Sequence, residues 1–256
     1  MDPFELPFDP PLTQDGLLDG RVTLLQPEKG FRAGLDSVLL AAAVSGPEGP
    51  ARALEIGCGA GAALLAAAAL RPQWRFVGVE REAFHAELAR RNAAANAAAT
   101  DAGDRVLIHT GDPLADPALD LGETFDAAFC NPPFNARGRA PGEGRAHAHV
   151  SEYPLVVWIK AMANRLRGGA RLTLIHRAES LGEILAGLEG RLGGARVIPV
   201  HPFADQPAHR VLVRAAKGSR AGLTLLAPLV LHTGDAAKHT PQAEAILRGR
   251  ARIDWD

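Results

Sequence analysis

ALEIGCGAGAALLAAAAL, residues Ala53 to Leu70, decides the architecture. Ala53 to Ile56 reads as a short buried strand, and Ala62 to Leu70 is a run of strong helix formers. Between them Gly57, Gly59 and Gly61 alternate. Glycines at these places allow a tight strand-to-helix turn and let a ligand come close to the backbone. The helix that follows offers unpaired N–H groups at its start. A glycine triplet alone is a weak signal, but one set after a strand and before a helix meets the context a ligand-binding turn requires. Gly57, Gly59 and Ala62 also fit the pattern G-x-G-x-x-G/A, so the turn alone does not separate NAD from other adenosine cofactors.

Working outward, short apolar strands alternate with helices. Phe76 to Glu80, Val106 to His109, Phe125 to Cys130 and Arg171 to His176 read as strands. Glu82 to Ala97, Tyr153 to Leu166 and Leu181 to Leu192 read as helices. Ala195 to Pro202 and His209 to Lys217 follow as two strands with no helix between them. The pattern predicts a doubly wound, mostly parallel α/β sheet with one antiparallel edge strand. Upstream, residues 1 to 20 are rich in Pro and Asp and are expected to be irregular. Arg21 to Gln26 reads as a strand and Leu35 to Val44 as a helix. The loop SGPEGP, Ser45 to Pro50, marks a boundary. Residues 1–45 are therefore expected to be an N-terminal extension that covers the site, and 46–256 the main domain. A last apolar run, Leu223 to His232, precedes a helix expected at Pro241 to Arg248.

The 256 residues, 47% of them hydrophobic, suffice for one large domain or a domain with an appendage. A formal net charge of −1 excludes a global basic field, so a polyanion partner must be held by a local patch. Two cysteines, Cys58 and Cys130, exclude a disulfide scaffold and favour a reducing, cytoplasmic setting. The opening MDPFELPFDPP has neither the basic nor the apolar region of a signal peptide. The Ala/Leu runs are broken by charge or Gly before spanning length, so no membrane association is expected.

Three further features lie at strand ends on the carboxyl side of the sheet, where ligands bind in such folds. Glu80 closes the strand FVGVE roughly twenty residues after the glycine turn, where an acid that holds ribose hydroxyls belongs. Asp112, in HTGDPL, is placed to accept from an adenine amino group. The strand FDAAFC runs directly into Asn131-Pro132-Pro133-Phe134. Two prolines donate no hydrogen bonds and stiffen the turn, holding an Asn and a Phe on either side.

In this order EIGCGAG, VGVE, GD and NPPF resemble the class I S-adenosylmethionine-dependent methyltransferases that modify amino groups. With the upstream FRAGLDSVLLA (Phe31 to Ala41) and the terminal KHTPQAEAILRG (Lys238 to Gly249), the chain resembles the "small domain" group. Within that group it is most similar to bacterial tRNA adenine-N6 methyltransferases acting on valine tRNA. The resemblance covers nearly the whole chain from about Arg21. It implies a Rossmann-like sheet of seven strands, S-adenosylmethionine as cofactor and RNA, tRNA above all, as partner. It also implies that Glu55, Gly57, Gly59, Gly61, Glu80, Asp112 and Asn131 surround the cofactor. Asn131, Pro132 and Phe134 would be the catalytic group, with Pro133 and Phe134 against the substrate. The sequence departs from the group at His239, where an aromatic is usual, and has Phe134 where some members have Tyr.

The chemistry of an amine supports that role for NPPF. An exocyclic base amine is a poor nucleophile because its lone pair is delocalised into the ring. The Asn131 side-chain oxygen and the Pro132 carbonyl can take its two hydrogens and favour a geometry with the lone pair directed outwards. Alignment does most of the remaining work. Phe134 would stack on the base, a contact worth about 1–3 kcal/mol. A base inside a helix cannot reach such a pocket, so the target must be looped out or flipped.

The loop NARGRAPGEGRAHAHV carries Arg137, Arg139 and Arg145 against one acid, Glu143, and is expected to act as a phosphate clamp. Lys238, Arg248, Arg250 and Arg252 form a second basic cluster. Cys58 and Cys130 are expected to be small buried residues. His147 and His149 lack companion ligands, so no metal site is expected. Phe31 is a candidate cover for the cofactor. Guanine N2 of ribosomal RNA and the amide of a protein glutamine are rival amines. An NAD(P)-dependent oxidoreductase would leave NPPF unexplained, and Tyr153, the sole Tyr, is not followed by the Lys of a Tyr-x-x-x-Lys pair. A non-catalytic RNA-binding module is the remaining rival.

Overall fold

The computed structural model describes residues 10–30, 32–97, 105–134, 153–234 and 238–256. The chain opens with a hairpin, β1 (Leu12–Leu17) and β2 (Val22–Pro27), paired antiparallel from Leu12↔Pro27 to Leu17↔Val22. The strand β1 corrects the expectation of an irregular lead. Its sequence LTQDGL shows no apolar alternation because it is nowhere fully buried; its order comes from the ladder to β2. The turn between them runs through Leu18, Asp19 and Gly20, all at positive φ, a conformation that a Gly and an Asp make accessible.

The rest follows the alternation: α1 (Leu35–Ala43), β3 (Ala51–Ile56), α2 (Ala62–Leu70), β4 (Trp74–Glu80), α3 (Ala83–Ala95), β5 (Val106–Thr110), β6 (Phe125–Cys130) and α4 (Leu155–Arg165). Then come β7 (Leu166–Arg177), α5 (Leu181–Leu188), β8 (Leu192–His201), β9 (Arg210–Lys217), β10 (Thr224–Leu225), β11 (Leu229–Val230) and α6 (Pro241–Leu247). The sheet order is β5-β4-β3-β6-β7-β9-β8, with β10 and β11 both on β8. The pairs β3–β4, β3–β6, β4–β5 and β6–β7 are parallel. The antiparallel strand β9 lies towards one edge, between β7 and β8. Seven strands, β3 to β9, match the expected sheet, and two strands of two residues each extend it beyond β8. Strand order reverses at β3 and β6, which opens a crevice outside their carboxyl ends.

Successive residues of each strand feed opposite cores. Ala53, Phe76 and Phe129 pack with α1 and α2, while Leu54, Val77 and Ala128 pack with α4 and α5. Helix α2 is apolar all round because it is enclosed on all sides. The rings of Phe76 and Phe129 meet edge to face at 6.5 Å.

Two polar devices fix the elements around the crevice. The first closes α1. Its last carbonyls accept from the buried Arg71, which donates to Ala41 (2.9 Å) and Val44. They also accept from Trp255, whose Nε1 donates to Ala43 (2.8 Å). Burial, with the Arg252 charge nearby, lowers the Arg71 pKa to about 9, still above neutrality, so the capping charge persists. The second device docks the hairpin. Asn92 and Asn96 sit one turn apart on the side of α3 that meets β2. Asn92 Oδ1 accepts from Leu25 N and its Nδ2 donates to Leu25 O, both at 2.8 Å. Asn96 does the same with Thr23, at 2.8 and 2.7 Å. Two side-chain amides thus pair with alternate residues of β2, as a neighbouring strand would.

Candidate active site

A cavity of about 1290 Å³ opens at the carboxyl ends of β3, β4, β5 and β6. That exceeds the roughly 300–1,000 Å³ of an ordinary small-molecule site and leaves room for two ligands. The glycine turn forms its floor. Gly57 N donates to Val79 O at 2.8 Å and Gly61 N to Cys58 O at 2.8 Å. Gly57 sits at φ +72°, and a Cβ there would lie 2.9 Å from Trp158 Cη2, so only glycine fits. Gly59, at φ +54°, would point a Cβ into open space; the backbone there is bare to whatever fills the cavity. Gly61 is the left-handed N-cap of α2 and supplies no side-chain cap. The start of α2 lines the cavity.

Two acids stand against this turn. Glu80 is buried, and both its oxygens accept backbone N–H groups, Oε2 from Gly59 (2.9 Å) and Oε1 from Glu82 (2.9 Å). It therefore builds the turn as well as facing the cavity. Each carboxylate oxygen keeps a further lone pair for a ligand hydroxyl. Glu55 is also buried, and among the described residues its Oε2 has no partner. Burial first, and the Glu80 charge second, push its carboxyl well above the usual range, against the pull of the Leu64 backbone. An acid held this way is poised for a cation.

Asp112 lines the next part of the wall. Its Oδ1 accepts from Leu114 N (2.9 Å) and its Oδ2 from Tyr153 Oη (3.2 Å). Its orientation is fixed from two directions, and Tyr153 joins the same wall.

Asn131, Pro132, Pro133 and Phe134, at the carboxyl end of β6, also line the cavity. Phe134 packs edge to face on His176, centroids 5.0 Å apart. The guanidinium carbons of Arg177 and Arg210 lie 4.6 and 5.0 Å from the centre of its ring. His176 is buried, and among the described residues neither ring nitrogen makes a hydrogen bond of good geometry, the Pro133 backbone offering only a weak one. Burial, and after it the Arg177 charge, lower its pKa to about 4, so it is neutral at pH 7.

The structure thus gathers Glu55, Gly57, Gly59, Glu80, Asp112, Asn131, Pro132, Pro133 and Phe134 at one cavity. Arg137, Arg139, Arg145, His147, His149 and Phe31 lie outside the described residues. Cys58 and Cys130 are buried free thiols, pushed well above the ordinary thiol pKa by burial and then by Glu55. They are poor nucleophiles at neutral pH. The C-terminal basic cluster lies elsewhere. Arg248 and Arg250 reach Asp19 in the hairpin turn at 3.0 and 3.3 Å. With Arg21 and Arg252, Arg250 lines a smaller hollow of about 330 Å³ at the far end of α2. His239 stacks on His232 at 4.8 Å, an aromatic contact in the place where relatives were expected to carry an aromatic. Among the described residues no group of three or more His, Cys, Asp or Glu could hold a metal ion. Among them, too, no helix is long and apolar enough to cross a membrane.

Sequence reading missed Tyr153, His176, Arg177 and Arg210. His176 and Arg177 end β7 on the same carboxyl edge as Glu80 and Asn131, which was the available signal. Arg210 begins its strand, and only the reversed direction of β9 carries it to this edge.

Residues 35–152 match the sequence profile of the methyltransferase small domain. A tRNA1(Val) (adenine(37)-N6)-methyltransferase of Porphyromonas gingivalis is 35% identical over 191 residues, covering 71% of this chain and 73% of that protein. A crystal structure titled as a predicted O-methyltransferase from Agrobacterium tumefaciens is 31% identical. It superposes with a TM-score of 0.70, over 85% of this chain and 98% of that one. The Thermus thermophilus 16S rRNA N2 G1207 methyltransferase, solved with AdoMet and guanosine, shares the fold at 19% identity and a TM-score of 0.53. It covers 81% of this chain and 50% of its own.

Proposed function

Because the chain belongs to the methyltransferase small domain family of S-adenosylmethionine-dependent enzymes, we propose that it methylates an exocyclic amino nitrogen, adenine N6 of tRNA. The observation that carries this reading is that Asn131-Pro132-Pro133-Phe134, the glycine turn and Glu80 all line one cavity. The name of the Porphyromonas relative supports adenine in tRNA over guanine in ribosomal RNA or a protein amide. In this reading the reaction takes place in the cytoplasm.

The residues present fit the cofactor. Glu55 offers a buried, unpartnered oxygen to the cationic amino group of the methionine part. The open backbone at Gly59 lets that part lie close. Glu80 has acceptor capacity for ribose hydroxyls, and the oriented Asp112 for the adenine amine. When bound, S-adenosylmethionine supplies an electrophilic methyl group on a positive sulfonium. Asn131 Oδ1 and the Pro132 carbonyl accept the two hydrogens of the target amine and turn its lone pair outwards. The prolines leave little to be ordered on binding. Phe134 supports the base. The amine proton leaves after transfer, so no strong base is required, which suits a His176 that stays neutral and buried. In this reading Arg137, Arg139 and Arg145 contact RNA phosphates. Residues 1–45 act as a cover: Gln26 and Arg32 line the cavity, and Asn92 Nδ2 ties the hairpin to the glycine turn through Ala60 O (2.9 Å).

The test is incubation with labelled S-adenosylmethionine and separate pools of unmodified tRNA, ribosomal RNA and protein, with Asn131→Ala as control and mass spectrometry of digested products. N6-methyladenosine confined to tRNA is the expected result. Label in 2-methylguanosine, in protein or on an oxygen would move the substrate and overturn the adenine assignment.

A further inference from the structure

Arg177 ends β7 and Arg210 begins β9, and the two are direct cross-strand partners. Like charges placed opposite each other in a sheet are ordinarily destabilising. Here both line the cavity, beside the ring that follows Pro132 and Pro133. Two acids answer them. Asp36 Oδ2 takes Arg210 Nε at 2.9 Å, an ion pair with both side chains about three-quarters buried. Glu179 faces Arg177 at 3.3 Å, but with 74% of its side chain exposed, and such a pair contributes little. Arg210 is thus fixed in orientation, whereas Arg177, 44% exposed, is held loosely.

Both guanidiniums lie within 5.0 Å of the centre of the Phe134 ring. A base that stacks on that ring brings its own sugar and phosphate to the same rim. A planar fork suits a phosphate by paired, charge-assisted hydrogen bonds. We infer that Arg177 and Arg210 bind the phosphodiester of the nucleotide being methylated. As the base takes a face of Phe134, Arg177 leaves the ring and exchanges Glu179 for phosphate, while Arg210 stays anchored on Asp36. Phe134 is then both the platform for the base and the rest position of the group that grips the backbone. This deepens the nucleic-acid reading given above and rests on it.

The test measures tRNA binding by the product-loaded enzyme, S-adenosylhomocysteine being held saturating, across a series of salt concentrations. Arg177→Gln, Arg210→Gln, the double variant and Arg75→Gln are compared with wild type. Arg75 is an exposed cation at the amino end of β4 and controls for loss of bulk charge. Each site variant is expected to weaken binding about tenfold. The double variant should lower the slope of log K against log salt by about 1.4, two contacts at about 0.7 each. Cofactor affinity should stay within a few-fold, and Arg75→Gln should leave the slope as it was. Unchanged affinity and slope in the double variant, with wild type still binding and methylating RNA, would overturn the clamp and leave the proposed function standing. An equal loss in Arg75→Gln would also overturn it, by tracing the effect to net charge. Wild-type protein that binds no RNA would overturn both.

Discussion

Replacing Asn92 by Ala removes three hydrogen bonds at once: two to Leu25 and one to Ala60 O. The backbone groups left behind are partly buried, so each lost bond costs near the low end of its range, about 1 kcal/mol. Ala is the better helix former, which returns roughly 0.6 kcal/mol. The net expectation is a destabilisation of about 2–2.5 kcal/mol, or a drop of roughly 4–10 °C in the melting midpoint for a domain of this size. Urea and thermal unfolding followed by circular dichroism would read it. Asn92→Asp separates hydrogen bonding from packing. It preserves the shape and accepts from Leu25 N, but it turns a carboxylate towards two carbonyls, so it should be no better than Ala. A loss under about 0.5 kcal/mol for Ala, or an Asp variant as stable as wild type, would refute the view that side-chain amides stand in for a strand beside β2.

Three further outcomes are expected. Asn131→Ala should nearly abolish methyl transfer while cofactor affinity, measured by calorimetry, stays within a few-fold; loss of cofactor binding as well would misplace the amine site. Glu55 has a raised pKa in the free protein, so its contribution to stability is present at low pH and is lost as pH rises through that elevated value. Glu55→Gln should therefore raise the melting midpoint of the cofactor-free protein at alkaline pH and weaken cofactor binding, whereas a variant with lower stability there would show that the bond to the Leu64 backbone outweighs the cost of burial. His176 has the opposite sign: its folded pKa is lowered to about 4 from 6.5, so stability is lost as pH falls from about 6.5 towards 4. Its ring carbon resonances should not titrate between pH 5 and 8, and a midpoint near 6.5 would place the ring in solvent.

The parallel part of the sheet was legible because its strands carry short apolar runs, such as Val106 to Ile108 and Ala127 to Cys130, that alternate with helical patterns and turn residues. The turn at Gly57 to Gly61, Glu80 and the NPPF segment could be read for the same reason: their chemistry is local, spelled by neighbours in the chain. β1 was not, because LTQDGL buries no face and is ordered by its partner. The ring of Phe134 was foreseen but its company was not. Arg177 and Arg210 meet it only through the β7–β9 register, and no spacing in the sequence announces a pairing between strands so far apart. Asp112 was read as a free acceptor. The structure shows it oriented by Tyr153, a contact that spans the segment between Phe134 and Tyr153 and has no local signature.

The reversed course of β9 has a consequence for the evolution of the rim. Every parallel strand delivers its carboxyl end to the crevice and then enters the start of a helix or an irregular link, so a change there disturbs packing on a whole face. Because β9 runs the other way, the link from β8 arrives at the same edge as a plain hairpin loop, residues 202–209, that carries no helix behind it. Such loops accept insertions and deletions with little effect on the fold. Among the described residues this gives an adjustable stretch next to Arg210, able to lengthen or shorten while the floor of the cavity stays constant.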